Sequence, residues 1–220
     1  MKPFTPEQIE APTALMMQNG IYFFHVHRFA HDDVSHSMRL FKWADVPKGS
    51  RILDIGCGVG AMAVSWSAFD ETLKFSCLNI SEYQLSLVPA EFERIHGDMH
   101  EMPLDDGAFD AAICCFTIGH GDHRKVFEEA ARVLKGGGIF FLYDMIPEDG
   151  DYTRLHDLSY SLLPKQEIED LARSAGFDLD FYMEPQDNGD LFEQLPVAKP
   201  VFSQMRPAIW RFEKREHGRN

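Results

Sequence analysis

Basic residues are scarce in this chain: 21 Lys and Arg stand against 35 Asp and Glu in 220 residues, a formal net charge of −14. Nucleic-acid binders present a basic face, because neutralising phosphates supplies most of their affinity. A surface with the opposite balance repels a polyanion, so nucleic acid is not an expected partner. The only dense basic run, Lys214, Arg215, His217 and Arg219, sits at the carboxyl end and reads as a solvated tail. Long apolar runs are also missing. None approaches the roughly 18–20 residues of a membrane span, so no membrane partner is expected. Cysteine is sparse, with Cys57, Cys77, Cys114 and Cys115 the four present and no C-x-x-C pair among them. Adjacent Cys114 and Cys115 on a strand would point to opposite faces. Free thiols suit a reducing compartment, and Met1 to Glu10 lacks an apolar h-region, so the expected location is cytoplasmic. Repeats and low-complexity segments are absent too.

What remains is an ordinary globular composition, 45% hydrophobic and 25% charged, enough for one self-sufficient core. Residues 1–50 read as a partly helical prelude or lid, rich in His and aromatics, and residues 51–220 as the main domain. Strands are expected at 51–55, 74–80, 92–96, 110–116 and 139–143, with helices at 61–69, 82–87, 123–134 and from Pro164 to Ser174. Gly136-Gly-Gly138 reads as the turn that closes the third of these helices. Ser81 is placed to cap the second, and 177–183 with 208–212 suggest a late antiparallel hairpin. Strands alternating with helices imply an α/β fold: a doubly wound, mostly parallel seven-stranded sheet with an antiparallel last strand and helices on both faces.

The chemistry concentrates after the first strand, in Gly56-Cys-Gly-Val-Gly60. A strand, a glycine-rich turn and a helix mark a ligand site at the carboxyl end of a sheet, where a ligand approaching main chain leaves no room for a Cβ. Gly56, Gly58 and Ala61 even satisfy a relaxed dinucleotide pattern. Three features separate the readings. Asp54 at the strand end opposes a pyrophosphate but suits an ammonium and a sulfonium, as in S-adenosylmethionine, with the helix start at Ala61 free for a carboxylate. The second strand ends on Asn79, where a dinucleotide site wants Asp or Glu. Gly97-Asp98-Met99 then offers a carboxylate to an adenine amino group beside an apolar shelf.

Leu53-Asp-Ile-Gly-Cys-Gly-Val-Gly60, Gly97-Asp98, Phe109-Asp110 and Ala131-Arg-Val-Leu-Lys-Gly-Gly-Gly138 together resemble the class I S-adenosylmethionine-dependent methyltransferases over roughly residues 50–183. Leu78-Asn79-Ile80-Ser81 with Gln84 is similar to the subset of small-molecule and natural-product C- and O-methyltransferases and cyclopropane synthases. The resemblance implies S-adenosylmethionine as cofactor and a small-molecule acceptor. It implies that Asp54, Gly56, Cys57, Gly58, Gly60, Asn79, Ile80, Gln84, Gly97, Asp98, Met99 and Phe116 bind the cofactor, Asn79 and Gln84 sharing the ribose hydroxyls.

Methyl transfer is an in-line displacement, so most of the catalytic work is alignment and exclusion of water. Phe116-Thr117-Ile-Gly-His120 follows the fourth strand, from which the family's loop reaches the methyl group, and His120 is the leading candidate acid/base or orienting residue. If it acts as a base, the rate should rise with pH through an ionisation near ~6–7. The competing reading makes His120 the cap of the helix that follows. His25, His27 and His31 lack a recognised metal-ligand spacing, so no metal is expected. Tyr143, Asp144, Tyr152, His156 and Tyr160 are placed to orient an acceptor. Three other functions stay open: a catalytically silent cofactor-binding partner subunit, a nicotinamide-dependent oxidoreductase, which Asp54 and Asn79 disfavour, and a methyltransferase acting on protein or RNA.

Overall fold

The computed structural model describes residue 10 and residues 13–14, 32–155, 159–185 and 203–216. The order is helix α1 (Asp33–Ala44), strand β1 (Arg51–Ile55), α2 (Ala61–Phe69), β2 (Lys74–Asn79), α3 (Glu82–Leu87), β3 (Glu93–His96) and β4 (Phe109–Cys115). A 3₁₀ turn (Ile118–His120) leads to α4 (His123–Val133), β5 (Leu134–Pro147), β6 (Thr153–Leu155), β7 (Tyr160–Leu162), α5 (Lys165–Ser174), β8 (Phe177–Met183) and β9 (Met205–Lys214). Among the described residues seven strands form one sheet, ordered β3-β2-β1-β4-β5-β9-β8. β1 to β5 run parallel, and β9 lies antiparallel between β5 and β8. The expected doubly wound sheet is the one that forms.

The central strands are buried because helices cover both faces. Leu53, Ile55, Phe140 and Leu142 meet Phe127 of α4 and Ile168 of α5 on one side. Ile52, Ile113 and Phe141 meet Leu40 of α1 and Trp66 of α2 on the other. Burying each such side chain contributes about 1.5–3 kcal/mol. Cys114 joins the first core and Cys115 packs on the second, the opposite facing that alternation requires. Both are free thiols, as are Cys57 and Cys77.

Asp32 caps α1 by accepting from Ser35 N at 2.8 Å, and α1 buries Leu40 and Ala44 beside Trp66. That helix comes from the stretch read as a prelude. Of the aromatic and histidine residues of the lid reading, Tyr22 to His31 lie outside the described residues, and His36 is buried in α1. Ser81 caps α3 as expected.

Two sequence expectations change. Gly136–Gly138 do not close the helix: α4 ends at Val133 and β5 begins at Leu134. Leu134 pairs with Phe109, and pairing then jumps to Ala111 with Ile139, so the glycines loop out of the ladder as a bulge. The carboxyl-terminal basic residues are not a loose tail as far as they are described. Lys214 donates to Leu134 O at 2.6 Å and Arg215 pairs with Asp178 at 3.2 Å. Between β5 and α5 the chain also makes a separate two-stranded ribbon, β6 with β7, where the sequence reading placed no element. Among the described residues no helix is long and apolar enough to cross a membrane.

Candidate active site

Strand order reverses between β1 and β4, and α/β sheets open their ligand crevice at such a point, outside the carboxyl ends of the strands. β1 delivers Asp54 to that edge. The loop after it holds Gly56, Gly58 and Gly60 at φ of +69°, +56° and +81°, a region where glycine carries no steric penalty. Gly56 N and Cys57 N both donate to Leu78 O, at 2.9 and 3.1 Å, pinning the loop to the end of β2.

The three glycines have different reasons. A Cβ on Gly56 would lie 2.2 Å from Thr117 Cγ2, and Thr117 Oγ1 donates to Gly56 O at 3.3 Å. The expected close approach of a ligand is therefore not what excludes a side chain here. Gly56 is the seam between the glycine loop and the loop after β4. Gly60 faces Val88 at 3.1 Å, while a Cβ on Gly58 would meet nothing within 4 Å, so Gly58 is the open position. Gly56→Ala should then lower stability by about 2–4 kcal/mol through overpacking and left-handed strain. A chemical melt checks this, and an unchanged midpoint would refute the seam.

Asp54 is 2% exposed, and its Oδ2 has no hydrogen-bond partner among the described residues. Burial raises its pKa to about 7. An orphaned carboxylate oxygen in a core is costly, and a cationic ligand group would satisfy it. α2 begins one glycine loop later at Ala61 with no side-chain cap bond at Gly60, so its first N–H groups are available to an anion. An ammonium at Asp54 and a carboxylate at Ala61 are the two ends of an amino-acid moiety, and the loop residues fit one.

Asn79 ends β2 in a buried position. Its Nδ2 donates to Gly58 O at 3.3 Å and to Gln84 Oε1 at 2.9 Å, and its Oδ1 accepts from Ser81 N at 3.0 Å. Gln84 Nε2 donates to Thr13 Oγ1 at 2.9 Å. The fold thus brings Asn79 and Gln84 together beneath the glycine loop, where they brace it. Ile80 is 50% exposed beside them. Gly97 N donates to Asn79 O at 3.1 Å, and a Cβ at Gly97 would collide with Pro103 at 2.6 Å. That packing turns the chain so that Asp98 and Met99 flank the same edge.

β4 leaves the sheet through Phe116, a non-glycine residue at φ +50° whose N donates to Tyr143 O at 2.9 Å. Strain of this kind persists only where surroundings over-determine it. Asp122 caps α4 by accepting from Arg124 N at 3.1 Å, so the helix-cap reading of His120 does not hold. His120 instead ends the 3₁₀ turn, with Nδ1 3.4 Å from Ser159 O and its ring edge-on to Tyr160 at 4.6 Å. If Nδ1 donates to that carbonyl, the lone pair lies on Nε2. Burial lowers the His120 pKa to about 4. The ionisation expected near neutrality is displaced downward, and the ring is neutral at pH 7.

Tyr160 and Asp144 have a different task from the one the sequence suggested. Tyr160 OH donates to Asp144 Oδ1, and a Cβ on Gly119 would lie 2.2 Å from the Tyr160 ring. The 3₁₀ turn carrying His120 therefore rests directly on Tyr160. Asp144 and Tyr143 are each 1% exposed, and burial raises the Asp144 pKa to about 6. These are buried supports, not groups presented to an acceptor. Tyr152 is exposed, and His156 lies outside the described residues. Beside the turn lies a small buried apolar cluster of Met145, Leu155, Leu162 and Met205, with Phe116 packed against it. Nothing in the sequence order signals that Tyr160 would return beneath His120.

A doubly wound sheet with an antiparallel β9, a glycine loop at the β1–β4 reversal and an orphaned strand-end carboxylate give the chain a Rossmann-like fold with its ligand crevice at that reversal. Residues 53–142 match the model of a family described as a methyltransferase domain. Over 147 residues it is 32% identical to a sterol 24-C-methyltransferase of Gibberella zeae, covering 57% of this chain and 37% of that enzyme. The chain spans 36–54% of the length of the sterol methyltransferases it matches. Among solved structures, the [4+2]-cyclase SpnF superposes with a TM-score of 0.80 at 16% identity over 98% of both chains. Geranyl diphosphate C-methyltransferase from Streptomyces coelicolor, solved with S-adenosyl-L-homocysteine, superposes with a TM-score of 0.77 at 14% identity, covering 97% of this chain and 100% of that one.

Proposed function

We propose that this chain binds S-adenosylmethionine in the glycine-loop crevice and transfers its methyl group to a small-molecule acceptor. The observation that carries the reading is Asp54, whose buried, unpartnered Oδ2 lies at the end of β1, one glycine loop before the uncapped start of α2. Asp54 would hold the cofactor's ammonium and the first N–H groups of α2 its carboxylate. Asn79 and Gln84 would reach the ribose, and Asp98 with Met99 the adenine. The bound sulfonium supplies an activated methyl group. His120, neutral and held by Ser159 O and Tyr160, would orient the acceptor atom or take its proton as the bond forms. The sterol and geranyl diphosphate named in the relatives favour an acceptor with an apolar body.

A second reading is a domain that binds the cofactor without transferring methyl. The low pKa of His120 favours it, because a base that weak contributes little pull on a proton, and the likeness to a cyclase shows that this fold is not tied to one reaction. Calorimetric titration should give a 1:1 heat with S-adenosylhomocysteine and none with NAD. Incubation of S-adenosylmethionine with pooled apolar metabolites should then release S-adenosylhomocysteine. Binding without release from any pool would support the second reading, and binding of NAD alone would overturn both.

A further inference from the structure

We infer that His100 is a positioning residue that sets the cofactor site's preference for a 6-aminopurine, by holding the Asp98 carboxylate in its accepting orientation. The inference rests on the cofactor reading above. Asp98 follows the edge strand β3, and its side chain is 49% exposed; left alone, such a carboxylate would rotate freely. Here its Oδ1 accepts twice from one neighbour, from His100 N at 2.9 Å and from His100 Nδ1 at 2.6 Å. That leaves Oδ2 to accept from a ligand.

The imidazole is held from its far side too. His100 Nε2 accepts from Asp122 N at 2.9 Å. A ring nitrogen that accepts carries no proton, so the proton lies on Nδ1 and points at Asp98. The backbone N–H of Asp122, itself the cap of α4, thereby sets the tautomer that makes Nδ1 a donor. A second constraint comes from Gly121, where a Cβ would lie 2.4 Å from His100 Nε2 and 2.4 Å from Met99 Cε. Only glycine lets the imidazole lie this close. The post-β3 turn is thus bolted to the chain just after His120, although the two are more than twenty residues apart in sequence.

A carboxylate fixed before the ligand arrives discriminates more sharply than one that must be ordered on binding. It accepts from an exocyclic amino group and repels a carbonyl at the same position. The residue's effect should therefore fall on one atom of the base and not on the site as a whole. A residue that merely supported the fold would affect all ligands alike.

Calorimetry with S-adenosylhomocysteine and with its 6-oxo analogue, S-inosylhomocysteine, tests this. The wild type should prefer the adenosyl ligand at least tenfold. His100→Ala should cut that preference at least fivefold while the affinity for the inosyl ligand stays within twofold. His100→Asn, whose amide can donate in place of Nδ1, should restore most of it. Gly121→Ala, which displaces the ring without removing it, should repeat the loss if the alanine variant does not fold. Equal losses for both ligands, no loss in any variant, or no preference in the wild type would each overturn the role of His100. If the wild type binds neither ligand, the cofactor reading itself falls.

Discussion

Asp54→Asn is expected to bind S-adenosylhomocysteine at least tenfold more weakly while gaining stability relative to wild type as pH rises. Affinity falls because the amide cannot offset an ammonium, a loss of about 1.4 kcal/mol or more. The stability effect follows from the pKa. Burial raises Asp54 to about 7 in the folded chain, from an ordinary value of 3.8. The neutral carboxylic acid is the form the core tolerates, so this group's favourable contribution is complete below pH 3.8. It is lost progressively until pH passes about 7. A rise of that size corresponds to about 4 kcal/mol. The asparagine never ionises and escapes this penalty, though its own amide is left incompletely paired. The informative quantity is therefore the change with pH. The variant's melting temperature, relative to wild type, should climb between pH 4.5 and 8 without cofactor. Saturating S-adenosylhomocysteine should reverse the order at pH 8. A gap independent of pH would mean that Asp54 is ionised and satisfied before any ligand arrives.

His120→Ala is expected to lower turnover by about 10²-fold or more while cofactor affinity stays within about threefold. Because the imidazole is held at a pKa of about 4, it is neutral across the working range. Its contribution then lies in orienting the acceptor and receiving a proton late. The wild-type rate should show no ionisation belonging to His120 between pH 5 and 8. Any step near pH 7 should persist in the variant, since it would belong to Asp54. A step near pH 6–7 that vanishes in His120→Ala would instead show that burial does not hold the ring neutral. If turnover survives and only the melting temperature falls, the ring serves to pack on Tyr160, and transfer rests on proximity alone.

Much of the fold could be read in the sequence because its signals are local. β1, the glycine loop and α2 follow one another without interruption. Ser81 and Pro164 mark helix starts by properties of their own side chains. β4 shows the continuous apolar run of a strand covered on both faces. What escaped depends on tertiary partners. β6 and β7 have three residues each, too few for any period to show. The glycines at 136–138 have the composition of a turn, and only their neighbour β4 makes them a bulge. Gly56 is required by Thr117, about sixty residues on. Asp144 looks solvent-facing at a strand end until Tyr160 covers it, and Tyr143 until His36 and Phe116 pack on it. The cofactor side, carried by contiguous motifs, was accordingly clearer than the acceptor side, which is assembled from distant pieces.

The β6–β7 ribbon makes hydrogen bonds of strand type only with itself, and never joins the main sheet. Residues in the inner strands of the seven-stranded ladder are tied to both neighbours, so an insertion there would shift register across the cofactor crevice. The ribbon is hung between Pro147 and Pro164 like an exchangeable panel. Its exposed side chains can change without disturbing Asp54, Asn79 or Asp98, while Leu155, Tyr160 and Leu162 stay buried beside Met145 and Met205. Natural drift and directed evolution alike would then find new acceptors most readily by rebuilding this panel, provided that Tyr160 remains beneath the turn that carries His120. Swapping the segment between related chains offers a route to altered selectivity that leaves cofactor affinity intact.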